Sequence, residues 1–350
     1  MRALRMTGWK QPPDFQEVPD PEPGPGEVVI TVGGAGLCHS DLMVLHEVDP
    51  GGLPYELPFT LGHENAGWVE TTGLGVSGLE VGQPVAVYGP WGCGRCYRCQ
   101  QGAENFCDHQ SEGPAGGGLG RDGGLAPRML VANARYLVPL TDLDPLDAAP
   151  LTDAGLTPYH AIKRSLSLLV PGSHVVVIGA GGGLGHLAVQ ILAALAPSRI
   201  IAVDQRESGL TLARRLGADD GVLSGDDTVE EIRALTHGRG AELVLDFVGV
   251  DATMGTALSV SRTLGHVTIV GVGGGTVPYS FFSTPFDVLL GNTYWGTIPE
   301  LVEVVALAER GRIRAQVQRL SLDEAPKGYD ALATGAIEGR AVVVPDDRRG

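Results

Sequence analysis

Four cysteines crowd into the sixteen residues "GCGRCYRCQQGAENFC", 92–107. Cys93, Cys96, Cys99 and Cys107 follow the spacing C-x2-C-x2-C-x7-C. In a reducing compartment such clustering favours a metal over disulfides. Thiolates separated by two residues in a turn converge on one ion in tetrahedral geometry, which points to zinc ahead of an iron–sulfur cluster. Four thiolates around Zn²⁺ leave excess negative charge, and Arg95 and Arg98 lie between the ligands to offset it. Protein fills all four positions, so this site staples a loop and carries no chemistry of its own.

A second ligand set is scattered. Cys38 stands in "GLCHSDLM" (36–43), His63 and Glu64 in "GHENAG" (62–67), and Asp153 in "LTDAGLTPYH" (151–160). Singly, Cys38 reads as a small core residue and His63 as a hydrogen-bonded group. Together Cys38, His63 and Asp153 supply sulfur, nitrogen and oxygen, with two anionic ligands to balance Zn²⁺. Three protein ligands leave a fourth position for water or substrate, the mark of a catalytic zinc. Asp41 is a candidate to fix the ring of His63. Glu64 is either a transient further ligand or a carboxylate behind the ligands.

A third element is built to meet phosphate. "SHVVVIGAGGGLGHLAVQILAAL" (173–195) runs from an apolar strand through five glycines in seven residues into a helical pattern. Gly179, Gly182 and Gly185 give G-x-x-G-x-x-G, one residue longer than the strict dinucleotide fingerprint. The physics is alike: a tight turn, close backbone approach and a helix N-terminus facing pyrophosphate. "RIIAVD" (199–204) ends in Asp204, placed to bond ribose hydroxyls and to repel the 2′-phosphate of NADP, so NAD is the expected cofactor. Arg206 can instead meet a phosphate; a solvated loop charge is the preferred reading.

These residues need elements to hold them. Residues 1–150 are rich in Gly, Pro and short β-like runs ("EVVITV", "QPVAVY", "PRMLV"), which predicts an irregular, mainly β domain. From about 155 strands and helices alternate: strands at 174–179, 199–204, 243–247 and 266–271, helices at 184–195, 207–216, 228–236 and 252–262. That predicts a parallel sheet covered on both faces, hence an α/β chain. "PELVEVVALAERG" (299–311) reads as a helix, "GRAVVVP" as a closing strand and "DDRRG" as a frayed tail. The 350 residues suit two domains. A net charge of −16 argues against nucleic acid or an anionic membrane as partner. The stretch 175–196 is long enough to span a bilayer, but His186, Gln190 and the glycines break it. The N-terminus has no signal-peptide core, so a cytoplasmic protein is expected.

In this order, "GLCHSD", "GHE", the four-cysteine lobe, "AGLTPYHA", the glycine turn with Asp204 and "YWGT" (294–297) resemble the zinc-dependent medium-chain alcohol dehydrogenases over essentially the whole chain. The resemblance implies a GroES-like catalytic domain, 1–154 and 295–350, with a structural zinc lobe at 92–108. A Rossmann domain at 155–294 interrupts it. It implies an NAD-dependent enzyme with two zinc ions per chain, assembled as a homodimer or homotetramer, that interconverts an alcohol with an aldehyde or ketone. It also implies cofactor contacts at His39, Thr157, Gly179, Gly182, Gly183, Leu184, Gly185, Asp204, Arg206, Val248, Val270 and Gly271. Ser40 would take the alcohol proton toward the ribose, while hydride passes to the nicotinamide.

Two departures from the family pattern bear on the chemistry. Asp153 stands where many members have cysteine, a harder ligand that makes zinc the stronger Lewis acid unless hydrogen bonds behind it cancel the effect. Met43 stands where many have a proton-carrying histidine, so the relay ends at Ser40 and the ribose or leaves through water. The longer glycine turn matches the yeast-type members. Met43, Tyr55, Leu119, Tyr294 and Trp295 are candidate pocket walls and suit a hydrophobic, secondary, possibly aryl, alcohol. A polyol dehydrogenase of the same fold is the nearest alternative, and a non-catalytic NAD-binding protein a remote one.

Overall fold

The computed structural model describes residues 1–110, 113 and 115–345; the expected tail at 346–350 lies outside them. The chain divides into two compact units. One comprises Met1–Leu156, Trp295–Gly311 and the chain from Val317 onward; the other comprises Thr157–Tyr294 and Arg312–Gln316.

The first unit is mainly β. Its largest sheet runs, in spatial order, Leu137–Pro139, Pro84–Val87, Glu64–Thr72, Val28–Gly36, Arg340–Val344 and Val317–Ser321, with Arg128–Val131 also paired to Val28–Gly36. Val28–Gly36 is the spine. Its β-branched first half is buried on both faces, as a central strand requires. Its glycines admit close neighbours: a Cβ on Gly33 would collide with Trp68, and one on Gly36 with the carboxylate of Glu64. The antiparallel register sets Gly36 opposite Glu64. Cys38, just past one strand end, and His63, just before the other, are therefore brought together. The short helix Pro145–Ala148 and the 3₁₀ turn Ala149–Thr152 pack on these two strands and deliver Asp153.

The second unit is a six-stranded parallel sheet in the order Asp220–Leu223, Arg199–Asp204, His174–Ile178, Ala241–Asp246, Ser261–Ile269 and Leu289–Asn292. The first strand in sequence, His174–Ile178, lies inside the sheet, so strand order reverses beside it. That reversal is where such sheets bind ligands. Helix Gly185–Leu195 packs with Glu207–Arg215, and Thr228–Leu235 with Asp251–Val260. Val176, Ile178, Ile201, Val203, Val244 and Val267 form the centre of the core.

Two short strands, Asp220–Leu223 and Leu289–Asn292, go beyond the sequence expectation. Residues 312–316, expected with the first unit, pack in the second. The side-chain amide of Gln190 both donates to the carbonyl of Arg314 and accepts its N–H, and the N–H of Gln316 donates to His186 Nε2. The polar pair that interrupts the apolar stretch thus ties this segment down. No helix of the described residues is long and apolar enough to cross a membrane.

Candidate active site

Cys38, His63 and Asp153 converge: one ligand atom from each lies within 4.8 Å of the others, and all three residues are buried. Cys38 Sγ is 3.7 Å from Asp153 Oδ2, and His63 Nε2 is 3.6 Å from the same oxygen. A tetrahedral zinc would set these S···O and N···O separations at about 3.5 and about 3.3 Å. The donor set and spacing therefore fit zinc. Positive φ at Gly62 (92°) turns the chain into His63, and Cys38 caps helix His39–His46.

The groups behind the ligands are as ordered as the ligands. His63 Nδ1 donates to Asp41 Oδ1 at 2.8 Å, which fixes the tautomer and leaves Nε2 as the ligand atom. Asp41 Oδ2 accepts the N–H of Cys38 at 3.1 Å and the hydroxyl of Tyr329 at 3.0 Å. Burial alone would push the His63 imidazole down; Asp41, Asp153 and Cys38 override it and hold it well above its usual range. Glu64, fully buried, grips Arg340 with both oxygens, at 2.8 Å from Nε to Oε2, and accepts the N–H of Ala154 at 3.0 Å. Burial lifts the Glu64 carboxyl to about 7 against the opposing pull of Arg340. Arg340 is thus paired directly with Glu64, with Asp153 close enough to be felt by its charge, and the oxygen, nitrogen and sulfur donors of Asp153, His63 and Cys38 are left for a metal ion.

Ser40 Oγ lies 3.4 Å from His63 Nε2, beside the metal position. Trp295, at φ 52°, lays its ring edge-on to His63, with centroids 5.6 Å apart, and its indole N–H donates to the carbonyl of Thr152. Leu119 is buried, and a Cβ on its neighbour Gly118 would meet the backbone of Gly62 and His63. Met43 is half-buried on helix His39–His46, and His39 is exposed at its start. Tyr55 packs in a different aromatic group, stacked on Trp9 and edge-on to Phe59. Tyr294 belongs to the second unit and is 40% exposed.

The four-cysteine lobe is likewise closed on itself. Sulfur separations are 3.4 Å for Cys96–Cys99 and 4.0 Å for both Cys93–Cys99 and Cys96–Cys107. A tetrahedral zinc–thiolate site sets S···S at about 3.8 Å. Backbone N–H groups of Cys93 and His109 donate to Cys107 Sγ, that of Cys96 to Cys93 Sγ, and that of Cys99 to Cys96 Sγ. The N–H of Arg95 draws the Cys93 thiol down to about 6. The Arg95 and Arg98 side chains are exposed, and Arg135 brings a further positive charge to the lobe, near enough to Cys99 to be felt by it. Arg135 Nε is 3.4 Å from buried Glu104, and its guanidinium donates to the carbonyl of Gly92. Tyr136, stacked on Trp91, donates to the same carbonyl.

In the second unit Gly179 (φ 78°) turns the chain, and a Cβ on Gly185 would overlap the Gly179 carbonyl. Gly182 and Gly183 lie between them, and Leu184 caps the helix beginning at Gly185. Asp204 Oδ2 accepts the N–H of Gly181 at 2.8 Å, and Oδ1 accepts that of Arg206 at 3.0 Å. The carboxylate is thus locked beside the turn. The Arg206 guanidinium stays 3.9 Å from Asp204. Val248 and Gly271 follow the next two strands, each tied by its N–H to Asp246; Val270 and Thr157 are buried.

Residues 24–142 match the family "Alcohol dehydrogenase GroES-like domain" and residues 183–308 the family "Zinc-binding dehydrogenase". An NAD-dependent alcohol dehydrogenase of Sulfurisphaera tokodaii is 37% identical over 99% of this chain and 100% of its own. The chain belongs to the zinc-binding alcohol dehydrogenase family. Its fold matches the alcohol dehydrogenase of Aeropyrum pernix with a TM-score of 0.91 at 36% identity, over 99% of this chain and 100% of that one. The acetophenone reductase of Geotrichum candidum, solved with NAD, matches with a TM-score of 0.85 at 31% identity, over 99% and 98%. A D-arabinose 1-dehydrogenase (NADP(+)) of Saccharolobus solfataricus is 35% identical over 98% and 97%.

Sequence reasoning missed Arg340, Tyr329 and Arg135. Arg340 opens "GRAVVVP", where it reads as an end-of-strand charge; in fact it is 3% exposed. An arginine leading a wholly apolar run is the one available signal. Tyr329 carries no local signal, because its partner Asp41 lies 288 positions away, and Arg135 reads as an ordinary loop charge.

Proposed function

We propose that this chain oxidises hydrophobic secondary alcohols, aryl-alkyl carbinols among them, to ketones with NAD, and runs the reverse reaction with NADH. The observation that carries the reading is the indole of Trp295 against His63, which puts an apolar aromatic wall beside the converging ligands. Zinc on Cys38, His63 and Asp153 would supply the Lewis acid that polarises the substrate oxygen, and NAD the hydride acceptor. Asp41 holds His63 in the tautomer that presents Nε2. Ser40 Oγ, next to that nitrogen, receives the hydroxyl proton. Met43 has no group to carry it on, so it leaves by the ribose or by water. Trp295, Leu119 and Met43 shape the substrate's apolar side and exclude water. Glu64, held by Arg340, steadies Ala154 and with it Asp153.

Gly179, Gly182, Gly183, Leu184 and Gly185 are assigned to the pyrophosphate, with His39 as a basic contact. Asp204 is assigned to the ribose hydroxyls, where its charge disfavours NADP and Arg206 stays a solvated neighbour. Thr157, Val248, Val270 and Gly271 are assigned to the nicotinamide side. The four-cysteine lobe is assigned a structural zinc.

A homo-oligomer working in the cytoplasm is also proposed. Between Arg262 and Glu300 the only acidic or basic residue apart from His266 is Asp287, and Tyr279, Phe281, Phe282, Phe286 and Leu289 are exposed there. On a chain of net charge −16 an aromatic stretch with a single carboxylate is where a second copy meets least repulsion.

The D-arabinose-acting relative keeps a sugar or polyol reading open. The test is NADH formation from 1-phenylethanol, sorbitol and D-arabinose, each with NAD and with NADP. Turnover of 1-phenylethanol with NAD is expected. Turnover of the sugars alone, or with NADP alone, would overturn the substrate assignment.

A further inference from the structure

We propose that Tyr329 is a positioning residue for the three-ligand metal site: its hydroxyl holds Asp41, and through Asp41 the ring of His63, in the orientation that aims Nε2 at the metal. The inference rests on reading Cys38, His63 and Asp153 as metal ligands. Asp41 is 1% exposed and receives three hydrogen bonds. Two come from the ligand residues themselves: His63 Nδ1 to Oδ1 at 2.8 Å, and the Cys38 N–H to Oδ2 at 3.1 Å. The third comes from Tyr329, 288 positions further along the chain, to Oδ2 at 3.0 Å.

A carboxylate is free to twist about its Cβ–Cγ bond. One donor on Oδ2 leaves that twist loose. Two donors from different directions fix the plane, and with it the line from Oδ1 to His63. Tyr329 is 4% exposed, so packing alone would be served by phenylalanine; the hydroxyl is what calls for explanation. Burial, with the Asp41 charge beside it, holds the phenol well above its ordinary range, so it remains a donor.

The fold makes room for this contact. Tyr329 sits on helix Ala325–Ala333. A Cβ on the preceding Gly328 would come within 2.6 Å of Leu320 and 2.7 Å of Leu37, the residue before Cys38. Glycine at this position leaves both leucine side chains their room beside the metal-binding segment.

The test measures zinc release to a chromogenic chelator and the visible absorption of the cobalt-substituted protein. In Tyr329→Phe, one of the two zinc ions should leave about tenfold faster while the cage zinc leaves at its wild-type rate. The cobalt bands should shift. In an Asp41→Asn background the same substitution should add nothing, because it acts through Asp41. Gly328→Ala, whose methyl group crowds Leu37 and Leu320 beside Tyr329, should give a smaller change of the same sign, and it carries the test if Tyr329→Phe does not fold. Unchanged release and spectrum would overturn the proposal, as would effects that multiply with Asp41→Asn or equal acceleration of both ions. Failure of the underlying reading looks different: the wild-type protein itself would then release cage zinc alone.

Discussion

The four-cysteine lobe and the Cys38–His63–Asp153 site are made in opposite ways. The lobe draws its ligands from within 14 positions and holds the sulfurs with backbone N–H groups of the same loop. The other site spans 115 positions between Cys38 and Asp153 and is held by side chains from remote strands and helices. A closed cage can be local because its task is only to pin a loop. A site with an open position must keep its ligands aimed while substrate comes and goes. That takes the rigidity of a sheet and a buried layer of Asp41, Glu64, Arg340 and Tyr329.

The sharpest way to break the contrast is to remove one ligand from each site. His63→Ala should lower kcat/KM by about a thousandfold or more, since the Lewis acid contributes several kcal/mol, and leave the cage zinc in place. Arg340→Met comes next. It takes the counter-ion from buried Glu64, whose carboxyl then rises further above about 7, and should cost about 3–5 kcal/mol in denaturant unfolding at alkaline pH and less as the pH falls; Glu64→Gln added to it should recover most of the alkaline loss. Cys99→Ser should lower the thermal midpoint by about 5 °C or more, with an unchanged KM for the alcohol in fresh protein. Asp153→Cys, which exchanges one anionic ligand for another, should have the smallest effect: zinc retained and kcat within about tenfold. A Cys99→Ser enzyme that loses activity as fully as His63→Ala would erase the distinction.

The same contrast governs what could be read from the sequence. The cage is legible because its whole logic is spacing. The ligands Cys38, His63 and Asp153 were legible as residue types. Their meeting depends on the Gly36–Glu64 register, which no local pattern states. The alternating strands and helices of the second unit follow from apolar periodicity. The strands at 220–223 and 289–292 are too short to show one. Tyr329 was illegible because it looks like an ordinary aromatic until folding brings its partner, 288 positions away; Arg340, whose partner is 276 positions away, left only its place before an apolar run as a signal.

The most direct measurement is the absorption spectrum of the protein with cobalt in both sites, titrated with 1-phenylethanol. An open three-ligand site predicts that the bands of one cobalt shift on adding alcohol while those of the four-thiolate cobalt stay fixed. Bands that do not move at all, or that move for both ions together, would contradict the division into one open site and one closed one.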